Sequence, residues 1–297
     1  MNRPNSGAPD TPDAPDASAR SGDRGVDDTV DLRISGELAA LIAEHDERGR
    51  LDGHARPADA RPDAGARAGT DSYARLEPPA DAASPQRAGS ARDLRGEAPA
   101  AGPALPEPDL LDSVGDWPAC ETPVGTLRLL PVRMDRDLRL ISAWMNDPAV
   151  AAYWELDGPQ EVTAAHLRPQ LEGDGRSVPC LGVLDGVPMS YWEIYRADLD
   201  PIARHCRARP HDTGIHLLIG GVPDRGRGIG TALLRAVADL VLDRRPSCGR
   251  VLAEPDVRNT ASVAAFLSAG FRLSAEVDLP GKRAALMVRD RALRDVL

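Results

Sequence analysis

The sequence predicts a mixed α/β fold, of the α+β kind with one mixed sheet, over residues 117–297. Two observations lead to this prediction. Apolar runs of strand length alternate with longer segments whose apolar residues recur every three or four positions, and turn signals such as Asp185-Gly186 separate them. A chain with this order of elements is expected to form one domain of about 180 residues, which is a usual domain size.

Residues 1–110 differ in composition and are predicted to form a disordered tail. They are rich in Pro, Ala, Asp, Gly and Arg, and Tyr73 is the only aromatic residue before Trp117. Such a chain buries too little apolar area to offset the entropy lost on ordering. The segment 35–49 is an exception, and we predict a short helix there, either transient or a docking segment. The residues at helical spacing are Leu38, Leu41, Ile42 and His45.

Charge restricts the class of partner. The formal net charge is −10 and the sequence pI is about 5.1. Nucleic acids select basic surfaces, so this balance argues against a nucleic-acid partner. The basic residues are almost all arginine, and Lys282 is the only lysine in the chain.

The cysteine and hydropathy patterns predict a cytoplasmic protein without a membrane span. The four cysteines include no CxxC pair, a pattern typical of reduced thiols rather than of a disulfide framework. No apolar run approaches the roughly 18–20 residues of a membrane span. The N-terminus lacks the apolar core of a signal peptide.

The first half of the domain begins with a predicted strand, GTLRLLPV over 125–132. Asp135 is the expected N-cap of the helix that follows. Asp147 is expected to cap a second helix, because Pro148 would occupy its first position. The pattern over 161–171 predicts a third helix.

A hairpin is predicted next around Asp185-Gly186, followed by a polar loop over 196–212. TGIHLLIGG over 213–221 predicts a strand that leads into a glycine-rich turn and then into a helix with a continuous apolar stripe. The stripe consists of Ile229, Leu233, Val237, Leu240 and Val241.

The last elements are a strand, a helix and a hairpin. RVLAEPD over 250–256 predicts the strand. Asn259 is the expected N-cap of the helix, and Gly270 is expected to close it. The hairpin turns at Pro280-Gly281.

The glycine-rich turn, VPDRGRGIG over 222–230, lies between a predicted strand and a predicted helix. Unpaired N–H groups and the positive end of the helix dipole make such a position an anion site. Glycine lets the main chain approach a phosphate, because no Cβ is in the way. The turn therefore predicts a cradle for a phosphorylated cofactor, with a structural turn as the alternative.

Two phosphate cradles do not fit this turn. The P-loop requires a lysine after the glycines, and the turn has none. The dinucleotide fingerprint requires GxGxxG, whereas Gly226, Gly228 and Gly230 alternate as GxGxG. The remaining pattern is Arg-x-x-Gly-x-Gly, and it resembles the pyrophosphate-binding turn of the GNAT acyltransferase superfamily.

A second block, RVLAEPDVRNTASVAAFLSAGF, resembles the next strand and helix of the same superfamily. The matching positions are Asn259, Ser262, Phe266, Gly270 and Phe271. Both blocks occur in the order that the superfamily has, and the resemblance covers about 117–297.

The resemblance implies a donor and the residues that bind it. Acetyl-CoA or another acyl-CoA would place its pyrophosphate on the amides of 225–230 and its pantetheine between the strands at 213–221 and 250–256. No metal is implied. The implied donor-binding residues are Leu218, Ile219, Arg225, Gly226, Arg227, Gly228, Ile229, Gly230, Asn259 and Phe266.

Further blocks resemble the siderophore-biosynthesis branch, the aerobactin- and mycobactin-type lysine or N6-hydroxylysine N-acyltransferases. Among them are SYWEIYRADLDPIARHCRARPHDTGIHLLIG and AEPDVRN. The branch implies His216 and Asp256 as catalytic residues. Chemistry gives both a reason: a lysine amine has a pKa of about 10.4 and must lose a proton before it attacks a thioester. We expect Asp256 to act as base or to orient the acceptor, with His216 as its hydrogen-bonded partner or as a proton shuttle.

One residue departs from the superfamily pattern. Many members carry a tyrosine at the position of Phe266 that is proposed to protonate the departing thiolate, and phenylalanine cannot do so. The residues expected to bind the acceptor are Tyr191, Trp192, Glu193 and His205, with Glu193 meeting the α-amino group. The alternative for Tyr191, Trp192 and Glu193 is an ordinary strand with core and surface positions. A metal site is not expected, because the spacing of His205, Cys206 and His211 matches no zinc pattern.

The sequence is therefore interpreted as an N-acyltransferase for the side-chain nitrogen of lysine or N6-hydroxylysine in hydroxamate siderophore biosynthesis. The expected partners are a small amino-acid-derived acceptor and, for the loop bearing Arg204, Arg207 and Arg209, an acyl carrier protein or a siderophore synthetase. Two alternatives stay open: acetylation of another amine, such as an aminoglycoside or a protein, and a non-catalytic acyl-CoA-binding or scaffold protein.

Overall fold

The computed structural model describes residues 35–51, 111 and 113–294. Within these ranges the chain forms six α-helices, eight strands and several short 3-10 turns. The helices are α1 (Gly36–Leu51), α2 (Met134–Met145), α3 (Pro148–Trp154), α4 (Gln160–Leu171), α5 (Ile229–Arg244) and α6 (Thr260–Ser268). The strands are β1 (Cys120–Thr122), β2 (Gly125–Pro131), β3 (Ser177–Leu184), β4 (Val187–Arg196), β5 (Thr213–Ile219), β6 (Arg250–Ala253), β7 (Arg272–Leu279) and β8 (Lys282–Asp290).

The strands form one mixed sheet in the order β1-β2-β3-β4-β5-β6-β8-β7. Every pair is antiparallel except β5 and β6, which are parallel. The mixed α/β fold predicted from the sequence is confirmed. β1 was not predicted, because its three residues carry too short a pattern to be recognised.

The two faces of the sheet bury different helices. Residues of α5 and α6 pack with Trp192 and Ile194 of β4 in the larger core. Residues of α2, α3 and α4 pack on the other face, where Tyr191 of β4 lies. Alternate residues of a strand point to opposite faces, so β4 contributes to both cores, and Tyr191, Glu193 and Tyr195 share the α2–α4 face.

The sheet has a gap between β5 and β6. Only Thr213 and Gly214 of β5 pair with β6, although the whole of β5 pairs with β4. β6 ends at Ala253, and the chain that follows bonds to β8 instead, where Ala285 N donates to the Pro255 carbonyl at 2.8 Å. The edge of β5 beyond Gly214 is therefore left without a strand partner on that side.

Two of the three predicted helix caps are confirmed. Asp147 accepts a hydrogen bond from Ala149 N with Pro148 in the first turn, and Asn259 accepts one from Ser262 N at 3.1 Å. The prediction for Asp135 was wrong, because α2 begins at Met134, two residues earlier than predicted, and Arg133 is its N-cap.

Both predicted hairpins are present. The first turns at Asp185 and Gly186, whose φ angles of 48° and 81° are the left-handed values that a two-residue hairpin turn requires. The second joins β7 to β8 at Pro280-Gly281. Local turn chemistry was sufficient to place both.

Helix α1 packs against the domain, at the segment where a short helix was predicted over 35–49. Leu38 is 2% exposed and belongs to the larger core, with Leu41 and Ile42 packed against that core. His45 Nε2 lies 2.9 Å from Ser268 Oγ at the end of α6. The remainder of the predicted disordered tail, 1–34 and 52–110, lies outside the described residues. Within the described ranges, no helix combines the length and the apolar character that a membrane crossing requires.

Candidate active site

A cavity of about 210 Å³ lies at the gap between β5 and β6. Leu217 of β5 and Phe266 of α6 line it from the α5/α6 side of the sheet, and Trp154 and His166 line it from the α2–α4 side. The cavity therefore extends through the sheet, as expected where two parallel strands separate. Residues of both faces can contact one bound molecule there.

His216 lies at the centre of the polar part of this cavity. Its Nδ1 is 2.8 Å from Oε2 of Glu193, its cross-strand partner in β4, and its Nε2 bonds to Oε1 of Glu254, which follows β6. The aromatic rings of Trp154 and Tyr195 flank it, with centroids 6.0 and 4.9 Å from the imidazole. One third of the His216 side chain is exposed, so the ring is accessible to a substrate.

Glu193 joins His216 to a second histidine. Its Oε1 is bonded to His166 and accepts hydrogen bonds from Gln170 Nε2 and Tyr191 Oη, both at 2.8 Å. Glu193 is buried, and every bond it accepts favours its ionised form. Glu193 also lines the cavity, and its contact with a substrate α-amino group stays a prediction.

The carboxylates change the protonation of His216. Burial favours the neutral ring, but the charge of Glu254 and the hydrogen bonds to Glu193 and Glu254 outweigh it and raise the pKa of His216 to about 10. Burial likewise opposes ionisation of Glu193, yet the bonds from His166 and His216 hold the pKa of that carboxyl well below its usual range. His216 is thus a cation at neutral pH and donates from both ring nitrogens.

Asp256 lies in the same cavity, but it does not pair with His216 as expected. Its carboxylate accepts from Arg258 Nη2 at 2.7 Å and from Arg258 N at 2.8 Å. The hydrogen bond from the Arg258 side chain lowers the pKa of Asp256. The sequence did not indicate this ion pair, because Arg258, two residues after Asp256, looks like an ordinary turn residue.

The glycine turn has the geometry of an anion cradle. Gly226 and Gly228 have φ angles of +68° and +76°, and a Cβ added at either would meet open space. Gly228 is the N-cap of α5, and no side chain caps the helix there. The first N–H groups of α5 are therefore available to a ligand.

Arg225 has a structural role in this turn. Its Nε and Nη2 donate to the carbonyls of Ile219 and Gly220 at 2.9 Å, and its Nη1 binds Asp147 Oδ1 at 2.8 Å. The guanidinium thus fastens the turn to the end of β5 and to the N-terminus of α3. All three nitrogens of its side chain therefore donate to protein groups.

Several predicted site residues do not face the cavity. Leu218 is buried against α2–α4, and Trp192 is a core residue whose indole N–H donates to Ser190 Oγ at 2.9 Å. Tyr191 is not part of the cavity lining, and its hydroxyl donates to Glu193 Oε1. His205 is exposed at the end of a 3-10 turn, away from the cavity lining. Of the predicted donor-binding residues, Asn259 and Phe266 do line the cavity.

Among the cavity-lining residues that were not predicted as site residues are Trp154, His166, Glu254 and Lys282. Glu254 had a usable signal, since it is two residues before Asp256 in the same block. His166 had none, because only the folding of α4 over the sheet brings it to Glu193.

Other nucleophiles and ligand sets do not contribute to this site. Cys180 is fully buried, and burial raises the pKa of its thiol and of the Cys206 thiol, so neither resembles an activated nucleophile. Across the described residues no group of three or more His, Cys, Asp or Glu is arranged to hold a metal ion.

Comparisons with known proteins show the family to which the chain belongs. Residues 133–279 match the family described as Acetyltransferase (GNAT) domain. Over 159 residues the chain is 38% identical to lysine N-acyltransferase MbtK of Mycolicibacterium paratuberculosis, covering 54% of this chain and 72% of that protein. Over 155 residues it is 37% identical to N(6)-hydroxylysine O-acetyltransferase of Escherichia coli, covering 52% and 49%. A structure of aminoglycoside acetyltransferase AAC(6')-Ib in complex with coenzyme A has the same fold, with a TM-score of 0.50 at 23% identity over 57% of this chain and 97% of that one.

Proposed function

The chain belongs to the GNAT acetyltransferase family, in its siderophore-type N-acyltransferase branch, and on this premise we propose that it acylates the side-chain nitrogen of lysine or N6-hydroxylysine. The product would be an amide or a hydroxamate for a hydroxamate siderophore. One observation carries the proposal: the cavity at the β5/β6 gap brings the donor side of the sheet together with a cluster of carboxylates and a cationic imidazole.

The donor is an acyl-CoA. Its diphosphate would bind the free amides at the start of α5, around Gly226 and Gly228. The edge of β5 beyond Gly214 has no strand partner, so its backbone groups can bond to the amides of pantetheine. The thioester would then reach the cavity beside His216.

The acceptor is expected to be a cationic or weakly basic amine. Three buried carboxylates line the cavity, those of Glu193, Glu254 and Asp256. The His216 imidazolium and Lys282 offset two of these three charges, and the one that remains favours an ammonium group over an anionic substrate. A lysine side chain is long enough to place such a group inside while its α-carbon stays outside.

Two protons must move when the amine attacks the thioester. Asp256 is ionised and reaches the cavity, and we assign it the proton that leaves the acceptor nitrogen. His216 is cationic, with a pKa of about 10, and a thiol has a pKa of about 8.5. Its pKa exceeds that of the thiol and both of its N–H groups are bound by Glu193 and Glu254, so the imidazolium keeps its proton and stabilises the thiolate by its charge as the C–S bond breaks. The thiolate takes its proton from solvent, because Phe266 has no donor group.

We also propose a cytoplasmic location, with an acyl carrier protein or a siderophore synthetase as protein partner. All four cysteines are free thiols, as expected in a reducing compartment. Arg204 and Arg209 are exposed in the loop before β5, where an acidic partner could approach.

The test is a mass-spectrometric screen of acceptors with several acyl-CoA donors. Lysine, N6-hydroxylysine, N5-hydroxyornithine, N-hydroxycadaverine and an aminoglycoside are compared by kcat/KM. We expect lysine or N6-hydroxylysine to have the highest value. A higher value for the aminoglycoside would contradict the proposed acceptor, and no turnover with any amine would contradict the reaction.

A further inference from the structure

We propose that Lys282 is a self-acylation site, so that the enzyme transfers an acyl group to its own cavity lysine when no acceptor is present. This inference rests on the proposed function, because it requires a thioester beside His216. Lys282 is the only lysine among 297 residues, and it lines the cavity in which an amine is to be acylated. The side chain of this residue is thus an intramolecular equivalent of the proposed substrate.

The fold places Lys282 beside the catalytic cluster. Lys282 begins β8, and the start of β8 bonds to the segment after β6, where Val257 N donates to the Arg283 carbonyl at 2.9 Å. Lys282 Nζ donates to the backbone carbonyl of Glu254 at 2.8 Å. The carboxylate of the same Glu254 binds His216 Nε2. Glu254 therefore contacts both the amine of Lys282 and the imidazole that is proposed to assist departure of the thiolate.

Lys282 is not held in an ion pair. Among the described residues no carboxylate forms a salt bridge with its Nζ, and the bond to the Glu254 carbonyl uses one of its three donors. The side chain is partly exposed to the cavity. Its amine can consequently turn toward a thioester without breaking a charge pair.

The reaction balances in the same way as transfer to a free acceptor. A deprotonated Nζ attacks the thioester carbon, an N–C bond forms, the C–S bond breaks, and sulfur leaves with the electron pair and takes up one proton. The other proton passes from the ammonium through a cavity carboxylate to solvent. The product is a neutral amide, so the cavity loses one positive charge beside Glu254 and Asp256 and gains the bulk of the acyl group.

Self-acylation would lower the rate at which the enzyme consumes the acyl donor. Acylated Lys282 would fill part of a cavity of only about 210 Å³ and so compete with the acceptor for space. A free acceptor at high concentration would protect Lys282, because both amines need the same thioester.

The experiment follows the mass of the intact enzyme with acetyl-CoA alone, with acetyl-CoA plus acceptor, and after unfolding in urea. We expect one added acyl group in the folded enzyme without acceptor, several-fold less with acceptor, and little in the unfolded chain. Tryptic peptides locate it, since acylation prevents cleavage after Lys282 and yields a peptide that ends at Arg283. The matched control is the double variant Lys282→Arg with Arg283→Lys, which moves the only lysine to the neighbouring, more exposed position.

Three results separate the inference from the proposed function. The inference is wrong and the function stands if the preparation acylates a free acceptor but leaves Lys282 unmodified or acylates only the N-terminal amine. The same conclusion holds if the shifted lysine of the control is acylated as fast as Lys282. If Lys282 is acylated and no free acceptor reacts, the inference stands and the proposed acceptor is wrong. If neither reacts, both are wrong.

Discussion

The Nδ1 atom of His216 lies 2.8 Å from Oε2 of Glu193, directly across the pairing of β5 with β4. Residues opposite each other on one face of an antiparallel pair are held together by the register of the strands. The imidazole is therefore positioned by backbone pairing on one side and by Glu254, beyond the end of β6, on the other.

Replacing Glu254 by Gln should lower the pKa of His216 from about 10 toward 6.5. Glu254 contributes both a negative charge and a hydrogen bond to the imidazolium, and glutamine retains only the ability to accept a bond. The measurement is an NMR titration of the His216 ring. Tyr195→Phe is the control, because it removes the hydroxyl that donates to Glu254 Oε2 and keeps the charge. An equal shift in both variants would show that charge is not the main cause.

The free energy of unfolding should depend on pH through His216. Because its folded pKa is raised above its unfolded value of about 6.5, its contribution to stability is fully present below pH 6.5. That contribution decreases as the pH rises and is lost above about 10. Urea unfolding of wild type and His216→Asn across this range measures it. A stability difference between the two that stays constant from pH 6 to pH 10 would refute the raised pKa.

Asp256→Ala should lower kcat much more than Arg258→Ala does. If Asp256 takes the acceptor proton, its loss is expected to cost about 10²–10⁴-fold, the usual range for a general base. Arg258 is exposed and binds Asp256 from the side of the turn, so its removal should cost no more than about tenfold and should raise the pKa of Asp256. The pH profile of kcat/KM for both variants checks this. Equal losses would make Asp256 a structural partner of Arg258 only.

Gly228→Val should weaken donor binding by about tenfold or more, which corresponds to roughly 1.4 kcal/mol. Valine is strained at a φ of +76°, and its side chain would occupy the space in front of the first amides of α5. The comparison is Gly249→Val, since Gly249 also has open space around it but no left-handed φ. The KM for acyl-CoA and a thermal unfolding curve are measured for both. An unchanged KM in folded Gly228→Val would remove the turn from the donor site.

Truncation should distinguish the two parts of the N-terminal segment. A chain that starts at residue 33 retains α1, whereas one that starts at residue 105 loses Leu38 from the larger core. We expect the first to unfold at the wild-type temperature and the second to be less stable. Leu38→Ala should cost about 2–5 kcal/mol, as other buried leucines do. Identical thermal unfolding of all four proteins would show that α1 does not stabilise the domain.

The sequence was most informative where a single turn or cap decides the structure. Asp147, Asn259 and the Asp185-Gly186 turn were placed correctly, because each acts on residues no more than three positions away. The glycine turn also identified the family, which the comparisons confirm.

The composition of the site was harder to predict, because it depends on distant parts of the chain. Glu193 and Glu254 meet at His216, and His166 meets Glu193, only after β4, α4 and β6 have assembled. Charge pairing was equally hidden: Arg225, which was predicted to bind the donor, pairs with Asp147, and Arg258, for which nothing was predicted, pairs with Asp256. Patterns along the chain indicate which residue types are present and which faces they share, but not which partner each side chain selects.

The two residue pairs that join β5 to β6 leave the sheet with a seam through its middle. On one side of the seam five strands are fully paired, and on the other side three are. A thioester donor bound along the unpaired edge would connect the two halves of the sheet for as long as it is bound. Amide protection against hydrogen–deuterium exchange should then rise along 215–219 when donor binds. The donor would in that case stabilise the same sheet that positions it for reaction.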